Sequence, residues 1–212
     1  MAAISPPVAV PDSRLAREAT ELIRSVEPDL LYYHSLRVYS FGALLGNGLG
    51  LRYDPELLYV GAMFHDIGLV DGHRSAHNRF EVDSANAARD FLIAHGLEAD
   101  VVRIVWDAVA LHTTPGIPQH KEPEVALVTA GVELDVLGFG YDDIAAEDRE
   151  GVLAAYPRVD FKESIIQAFA DGMAHRPETT FGTVNADVLE EKLPGYVRPN
   201  FCTIIRASKH TN

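Results

Sequence analysis

The chain has 212 residues, of which 47% are hydrophobic and 23% charged, and its formal net charge is −13. This acidic balance argues against a broad surface for nucleic acid or for anionic membranes, and no apolar run is long enough to span a bilayer. Cys202 is the only cysteine, so an internal disulfide and a cysteine-based zinc site are excluded, and we expect a cytoplasmic protein.

The apolar residues recur at steps of three and four along most of the chain, which is typical of helices that pack through one face. We therefore predict an all-α fold, a helical bundle in which residues 12–212 form a single domain and residues 1–11 are a flexible extension. Helices are predicted at 12–26, 29–45, 55–67, 81–94, 98–112, 122–137, 145–155, 161–174 and 185–192, and an extended segment at 201–205.

A His-Asp pair, His65-Asp66, follows the apolar stretch from Leu57 to Phe64. A buried carboxylate beside a buried imidazole needs a compensating positive charge, and a divalent metal is the strongest one available. Two other predicted helices place His34 and Asp135 on their apolar faces. Each residue alone is explained by an ordinary core or helix-end position, but together they predict a metal site.

The predicted ligands are His34, His65, Asp66 and Asp135. Two imidazoles and two carboxylates can surround one divalent ion and leave positions open for water or substrate, which is what distinguishes a catalytic site from a structural one. We expect one ion, with zinc favoured and iron or manganese as alternatives.

The order of these residues resembles the signature of the HD-domain superfamily of helical metal-dependent enzymes. The resemblance runs over residues 28–140, and the sequence Phe-His-Asp-Ile-Gly at 64–68 is its most specific part. It implies an HD-type helical bundle that holds the metal site between its core helices.

A narrower resemblance concerns the stretch from Asn78 to Glu81, which is similar to the segment after the His-Asp pair in cyanamide hydratases. It implies that Glu81 lies near the metal-bound water and that His112 lies at the mouth of the active site. Asp66 or Glu81 would accept the proton of the water, and His112 would deliver one. The implied reaction adds a metal-activated water or hydroxide to a small neutral substrate such as cyanamide or a nitrile.

Two residues near these motifs are predicted to contact the substrate. Arg37 lies one turn after His34, and His77 lies in the polar loop that follows the His-Asp pair. The expected partners are a small-molecule substrate and, through exposed apolar helix faces, a second copy of the chain in a homodimer. Residues 142–212 carry no motif that predicts chemistry.

Three other functions remain open. An HD-type phosphohydrolase for a phosphomonoester or nucleotide needs cations near the metal, and only Arg37, Arg74 and Arg79 are close to the motifs. A di-iron oxygenase would need further ligands, for which His77 and His112 are available. A metal-stabilised binding module would need no open coordination position.

Overall fold

The computed structural model describes residues 6–209, and these residues form ten α-helices and no strand. The predicted all-α fold class is therefore confirmed. The helices are α1 (Arg14–Val26), α2 (Asp29–Gly48), α3 (Pro55–Phe64), α4 (Phe80–Ala94), α5 (Ala99–Leu111), α6 (Pro123–Leu137), α7 (Ala146–Ala155), α8 (Phe161–Met173), α9 (Asn185–Lys192) and α10 (Phe201–Arg206).

Helix α3 positions the His-Asp pair. Asp54 caps its first turn by accepting hydrogen bonds from the backbone N–H groups of Glu56 at 2.9 Å and Leu57 at 3.4 Å, and Pro55 occupies the first helical position. The helix ends three residues earlier than predicted, because the chain tightens into a 3₁₀ turn at Ile67–Leu69. His65 and Asp66 thus lie between the end of α3 and the 3₁₀ turn, and Nδ1 of His65 is hydrogen-bonded to the Ala62 carbonyl of that helix end at 2.7 Å.

Helices α2 and α6 form the largest helix–helix interface of the described residues. Two glycines allow the close approach. A Cβ atom on Gly42 would lie 2.6 Å from the carbonyl oxygen of Leu127, and one on Gly131 would collide with the carbonyl oxygen of Val38. The pairing brings His34 on α2 and Asp135 on α6 side by side.

The buried apolar residues form two groups. The larger group fills the space between α1 to α6, and the smaller one joins α8 and α9 to the 3₁₀ turn after the His-Asp pair. The smaller group consists of Leu31, Leu69, Phe80, Phe161, Ile165, Met173 and Leu189. His34 contacts Phe161 of this smaller group, with ring centroids 5.4 Å apart, so the predicted metal site lies where the two groups meet.

Both ends of the chain differ from the prediction. The segment predicted as extended is helix α10, because the Asn200 side chain caps it by accepting a hydrogen bond from the Thr203 N–H at 3.1 Å. Residues 1–5 of the predicted flexible extension lie outside the described residues. Val8 and Val10 pack against the larger core, and the Ala9 carbonyl accepts a hydrogen bond from Tyr39 at 3.0 Å.

Within residues 6–209, no helix combines the length and the apolar character that a membrane crossing requires.

Candidate metal centre

Three buried side chains converge on one point: His34 from α2, and His65 and Asp66 from the end of α3. The Nε2 atom of His34 lies 3.7 Å, and that of His65 3.3 Å, from Oδ2 of Asp66. The candidate ligand atoms of all three residues lie within 4.8 Å of one another. Ligand atoms bound at about 2.1 Å to a tetrahedral ion are about 3.4 Å apart, so this group can hold a divalent metal.

The proton positions on the histidines follow from their outer hydrogen bonds. His65 and His112 each direct Nδ1 at the backbone carbonyl oxygen three residues earlier, at 2.7 and 2.6 Å. His34 directs Nδ1 at the Oδ2 atom of Asp135, also at 2.6 Å. Carbonyl and carboxylate oxygens only accept hydrogen bonds, so each Nδ1 carries the proton and a neutral ring has a lone pair on Nε2.

The Nε2 lone pairs of these histidines face the carboxylate of Asp66, and no hydrogen-bond donor of the described residues lies between them. Nε2 of His65, Nε2 of His112 and both oxygens of Asp66 are buried and have no hydrogen-bond partner among the described residues. Nε2 of His112 lies 3.6 Å from Oδ1 of Asp66. Buried acceptors without a donor are costly, and a divalent cation held by His34, His65 and Asp66 would satisfy Nε2 of His65 and the Asp66 carboxylate, leaving Nε2 of His112 available to a water or substrate. The residues present therefore fit a metal ion.

The pKa values of the pair agree with this interpretation. Burial, the largest single influence, raises the pKa of Asp66, but the charge of His65 together with the hydrogen bonds and charges of the neighbouring histidines holds that pKa well below its ordinary value. Burial is also the largest influence on His65 and lowers its pKa, but Asp66, the Ala62 carbonyl and Asp135 together outweigh it, so the net pKa of His65 is raised. A proton on His65 and a metal ion thus compete for the same position, and metal affinity must fall as the pH falls.

Asp135 lies beside the three-residue group rather than in it. Its carboxylate accepts hydrogen bonds from Nε of Arg37 at 2.8 Å and from Nη2 of Arg37 at 2.9 Å, in addition to the bond from His34. Burial raises the pKa of Asp135, but His34 and Arg37 together lower it to about 2. A carboxylate behind a metal-binding histidine fixes the ring and its tautomer. The role of Asp135 as a direct fourth ligand stays a prediction.

Arg37, which we expected to contact the substrate, is only 1% exposed and points away from the centre. Besides the bonds to Asp135, its guanidinium donates to the carbonyl oxygens of Tyr156 at 3.3 Å and Pro157 at 3.1 Å, and it stacks on Phe161. A buried guanidinium must satisfy its donors within the protein, and these contacts do so. A contact of Arg37 with the substrate stays a prediction.

His77, the other predicted substrate contact, is exposed, and its side chain makes no hydrogen bond or ion pair with the described residues. It does not line the cavity that adjoins the metal centre. A contact of His77 with the substrate stays a prediction.

Glu81, predicted to exchange protons, is buried with its carboxylate fully engaged. Oε1 accepts hydrogen bonds from Arg79 at 2.8 Å, from Asn185 at 2.8 Å and from the Thr113 hydroxyl, and Oε2 accepts one from Arg79 at 3.3 Å. Burial is the largest influence and raises its pKa, but Arg79, His112 and Thr113 together outweigh burial, so the net pKa is lowered. A carboxylate held ionised by four donors is a poor proton acceptor, so the geometry favours a positioning role.

The last third of the chain, in which the sequence indicated no chemistry, supports the site from outside. The guanidinium of Arg176 is completely buried. It pairs with Asp83 and donates to the carbonyl oxygens of Gly68, Ser75 and Asn78 at 2.9, 2.9 and 3.0 Å. It thereby fixes the loop that follows the His-Asp pair. No sequence pattern marks this arginine, because its partners are backbone carbonyls far away in the chain.

A cavity of about 540 Å³ adjoins the metal centre. His112, Thr113 and Asn185 line it at the inner end, and Lys162 is the one lysine or arginine among its described lining residues. The cavity and the group around Asp66 therefore share His112.

Glu27 is a buried carboxyl behind the metal centre that the sequence did not reveal. Helix α1 runs alongside α3 in the same direction, and the hydroxyls of Thr20 and Tyr59 are 2.6 Å apart. The C-terminal end of α1 therefore lies near Asp66, which follows the C-terminal end of α3. Neither oxygen of Glu27 has a hydrogen-bond partner among the described residues. Burial first, and then the charge of Asp66, raise the pKa of Glu27 well above its ordinary value.

Replacing Glu27 by glutamine is expected to stabilise the protein at neutral pH and not in acid. The folded chain must keep Glu27 protonated, whereas the unfolded chain releases the proton above its pKa of about 4.5. The stability of the parent relative to Glu27→Gln therefore falls by about 1.4 kcal/mol per pH unit above pH 5, until the folded-state pKa is reached. Urea unfolding at pH 5 and pH 7.5 measures this. Glu21→Gln, an exposed change on the same helix, is the control, and a gap that does not vary with pH would contradict the expectation.

An all-helical bundle that gathers two imidazoles and a carboxylate at a buried point can hold a divalent metal ion. The family model of the HD domain matches residues 31–172, more than half of the chain, and the chain belongs to this family. HD domains bind divalent metals and are metal-dependent hydrolases, phosphohydrolases among them. His34, His65, Asp66, His112 and Asp135 all lie in the matched range. No curated protein matches the chain.

Proposed function

We propose that this chain is a metal-dependent enzyme that adds water to an uncharged substrate containing a carbon–nitrogen multiple bond, as in a cyanamide or nitrile hydratase. The observation that carries the proposal is the convergence of the free Nε2 atoms and the Asp66 carboxylate next to a mostly apolar cavity. His34, His65 and Asp66 would hold the ion, for which zinc is the favoured identity given two imidazoles and one carboxylate. The ion would supply Lewis-acid activation of the water and of the substrate.

The protein groups have distinct tasks in this reaction. His112 is a neutral base: its Nδ1 proton is held by the backbone, and its Nε2 atom faces the Asp66 carboxylate at 3.6 Å. It takes a proton from the attacking water and gives it to the nitrogen of the substrate, so that R–C≡N and H₂O yield the imidic acid R–C(OH)=NH. Transfer of the remaining hydroxyl proton from oxygen to nitrogen then gives the amide R–C(=O)NH₂. Glu81 and Thr113 position the inner end of the cavity through their hydrogen bond.

The charges around the centre favour a neutral substrate over a phosphate. Phosphate recognition requires cationic side chains with free donors. Arg37 and Arg158 both contact the carboxylate of Asp135, and Arg79 is paired with Glu81. The nearby arginines thus already have carboxylate partners. A phosphohydrolase remains the alternative, since the family includes that activity.

The proposal is tested by comparing substrates on the zinc-loaded protein. We expect kcat/KM for a nitrile or cyanamide to exceed that for an aryl phosphate at least tenfold, and a chelator to abolish both. His112→Ala should lower kcat about a hundredfold or more, the usual contribution of a general base, with the metal content unchanged. His77→Ala is the matched control and should leave both quantities as they are.

Two outcomes would overturn the proposal. Aryl phosphate turnover that is lost in His65→Ala, without any nitrile turnover, would assign a phosphohydrolase. Two irons per chain, found by elemental analysis together with uptake of O₂, would assign an oxygenase.

A further inference from the structure

The cavity beside the metal centre is much larger than a cyanamide-sized substrate requires. Its volume of about 540 Å³ falls within the range of about 300–1,000 Å³ that is typical of pockets for organic ligands. A site that served only a molecule of three heavy atoms would leave most of this space without a purpose.

The walls of the cavity are apolar and come from three helices. Helix α6 contributes Val132 and Val136, helix α8 contributes Ile165 and Phe169, and helix α9 contributes Val188. Ile165 is 2% exposed and Val132 is 8% exposed, so these side chains are held in place by the core behind them. Walls of this kind bind alkyl or aryl groups by removing them from water.

The cavity approaches the metal centre through His112, whereas His34, His65 and Asp66 do not line it. His112 lines the cavity and also faces Oδ1 of Asp66 at 3.6 Å. Asn185 lines it as well and donates a hydrogen bond to Glu81 at 2.8 Å. A molecule in the cavity therefore presents one end to the metal centre and leaves the rest between the helices.

The rim carries one acid and one amine. Glu133 is half-buried, Lys162 is exposed, and both line the cavity. Because the two charges are opposite, the rim gives no net preference for an anionic or a cationic substrate.

We infer that the cavity between α6, α8 and α9 binds the apolar part of the substrate, so that the natural substrate is an uncharged molecule whose reactive group is attached to an alkyl or aryl group. This inference rests on the proposed function for the nature of the reactive group. The apolar part lies along Val136, Ile165 and Val188, and the reactive group lies at His112.

Binding of unreactive amides tests the cavity without requiring turnover. Titration calorimetry of the zinc-loaded protein with butanamide, hexanamide and octanamide is expected to show Kd falling about tenfold for each two added methylene groups. Val188→Trp, which places an indole in the cavity, should remove this dependence on chain length. Val197→Trp changes the same residue type at a position that is 79% exposed and outside the cavity, and it should behave like the parent.

The outcomes distinguish a failure of the inference about the cavity from a failure of the proposed reaction. Affinity that does not vary with chain length, or a dependence on chain length that persists in Val188→Trp, would overturn the inference. Length-dependent amide binding together with no turnover of octanenitrile or any shorter nitrile would overturn the proposed reaction and leave the cavity as an apolar-ligand site.

Discussion

Replacing His65 by alanine is expected to remove the bound metal and all turnover with it. The imidazole supplies the Nε2 atom 3.3 Å from Asp66, and a zinc site that keeps one imidazole and one carboxylate has too few ligands to compete with water. We expect metal affinity to fall by far more than the 10- to 100-fold that is usual for loss of a residue behind a ligand. Elemental analysis after dialysis, with a chelator competition for Kd, measures this.

The controls for this prediction separate metal loss from misfolding. His65→Gln keeps an N–H that can reach the Ala62 carbonyl and should fold while still losing the metal. His120→Ala changes an exposed histidine and should keep both metal and activity. A full metal content in His65→Ala would show that the ion binds elsewhere.

Asp135→Asn distinguishes the two roles open to that carboxylate. If Asp135 acts through His34, metal affinity falls about 10- to 100-fold. If it is a direct ligand, the loss approaches that of His65→Ala.

Replacing Gly131 by alanine is expected to destabilise the fold by about 3 kcal/mol, at the upper end for overpacking of a core. The added methyl group would collide with the carbonyl oxygen of Val38 on the facing helix, and backbone atoms on both sides cannot move independently. The free energy of unfolding from urea titration should show this loss, with Tm lower by about 6–12 °C.

The same change should weaken metal binding, because α2 and α6 carry His34 and Asp135, whose contact is 2.6 Å long. Gly48→Ala is the matched control. Gly48 is a helical glycine in α2, the helix against which Gly131 of α6 packs, but no atom of the described residues lies within 4 Å of the position that its Cβ would take. It should be neutral or stabilising by up to about 1 kcal/mol. Equal stability of the two variants would mean that the helices do not pack through Gly131.

The helices were predictable because their signals are local. The cap at Asp54, Pro55 after it and the apolar period along α2 each act within a few residues. Helix α10 was missed although Asn200 caps it, since a six-residue helix is too short for a period to be visible.

The candidate site was predictable only in its centre. Polar residues on apolar faces identified His34, His65 and Asp66 as a group, and the structure brings them together. The sequence could not show that Arg37 would bind Asp135, or that Thr113 and Asn185 would donate to Glu81, because these partners lie on other elements, 32 to 104 residues away in the chain.

The cavity wall formed by α9 determines how the substrate selectivity of this protein can be altered. Asn185 and Val188 lie beyond residue 172, where the match to the HD domain ends. The residues that would hold the ion and the residues that shape the far side of the cavity thus belong to separate stretches of the chain. Substituting Val184 and Val188 would alter which molecules enter the cavity while keeping Asn185, which donates to Glu81, and Leu189, which packs in the smaller core. New selectivity is therefore open to this scaffold without loss of its chemistry.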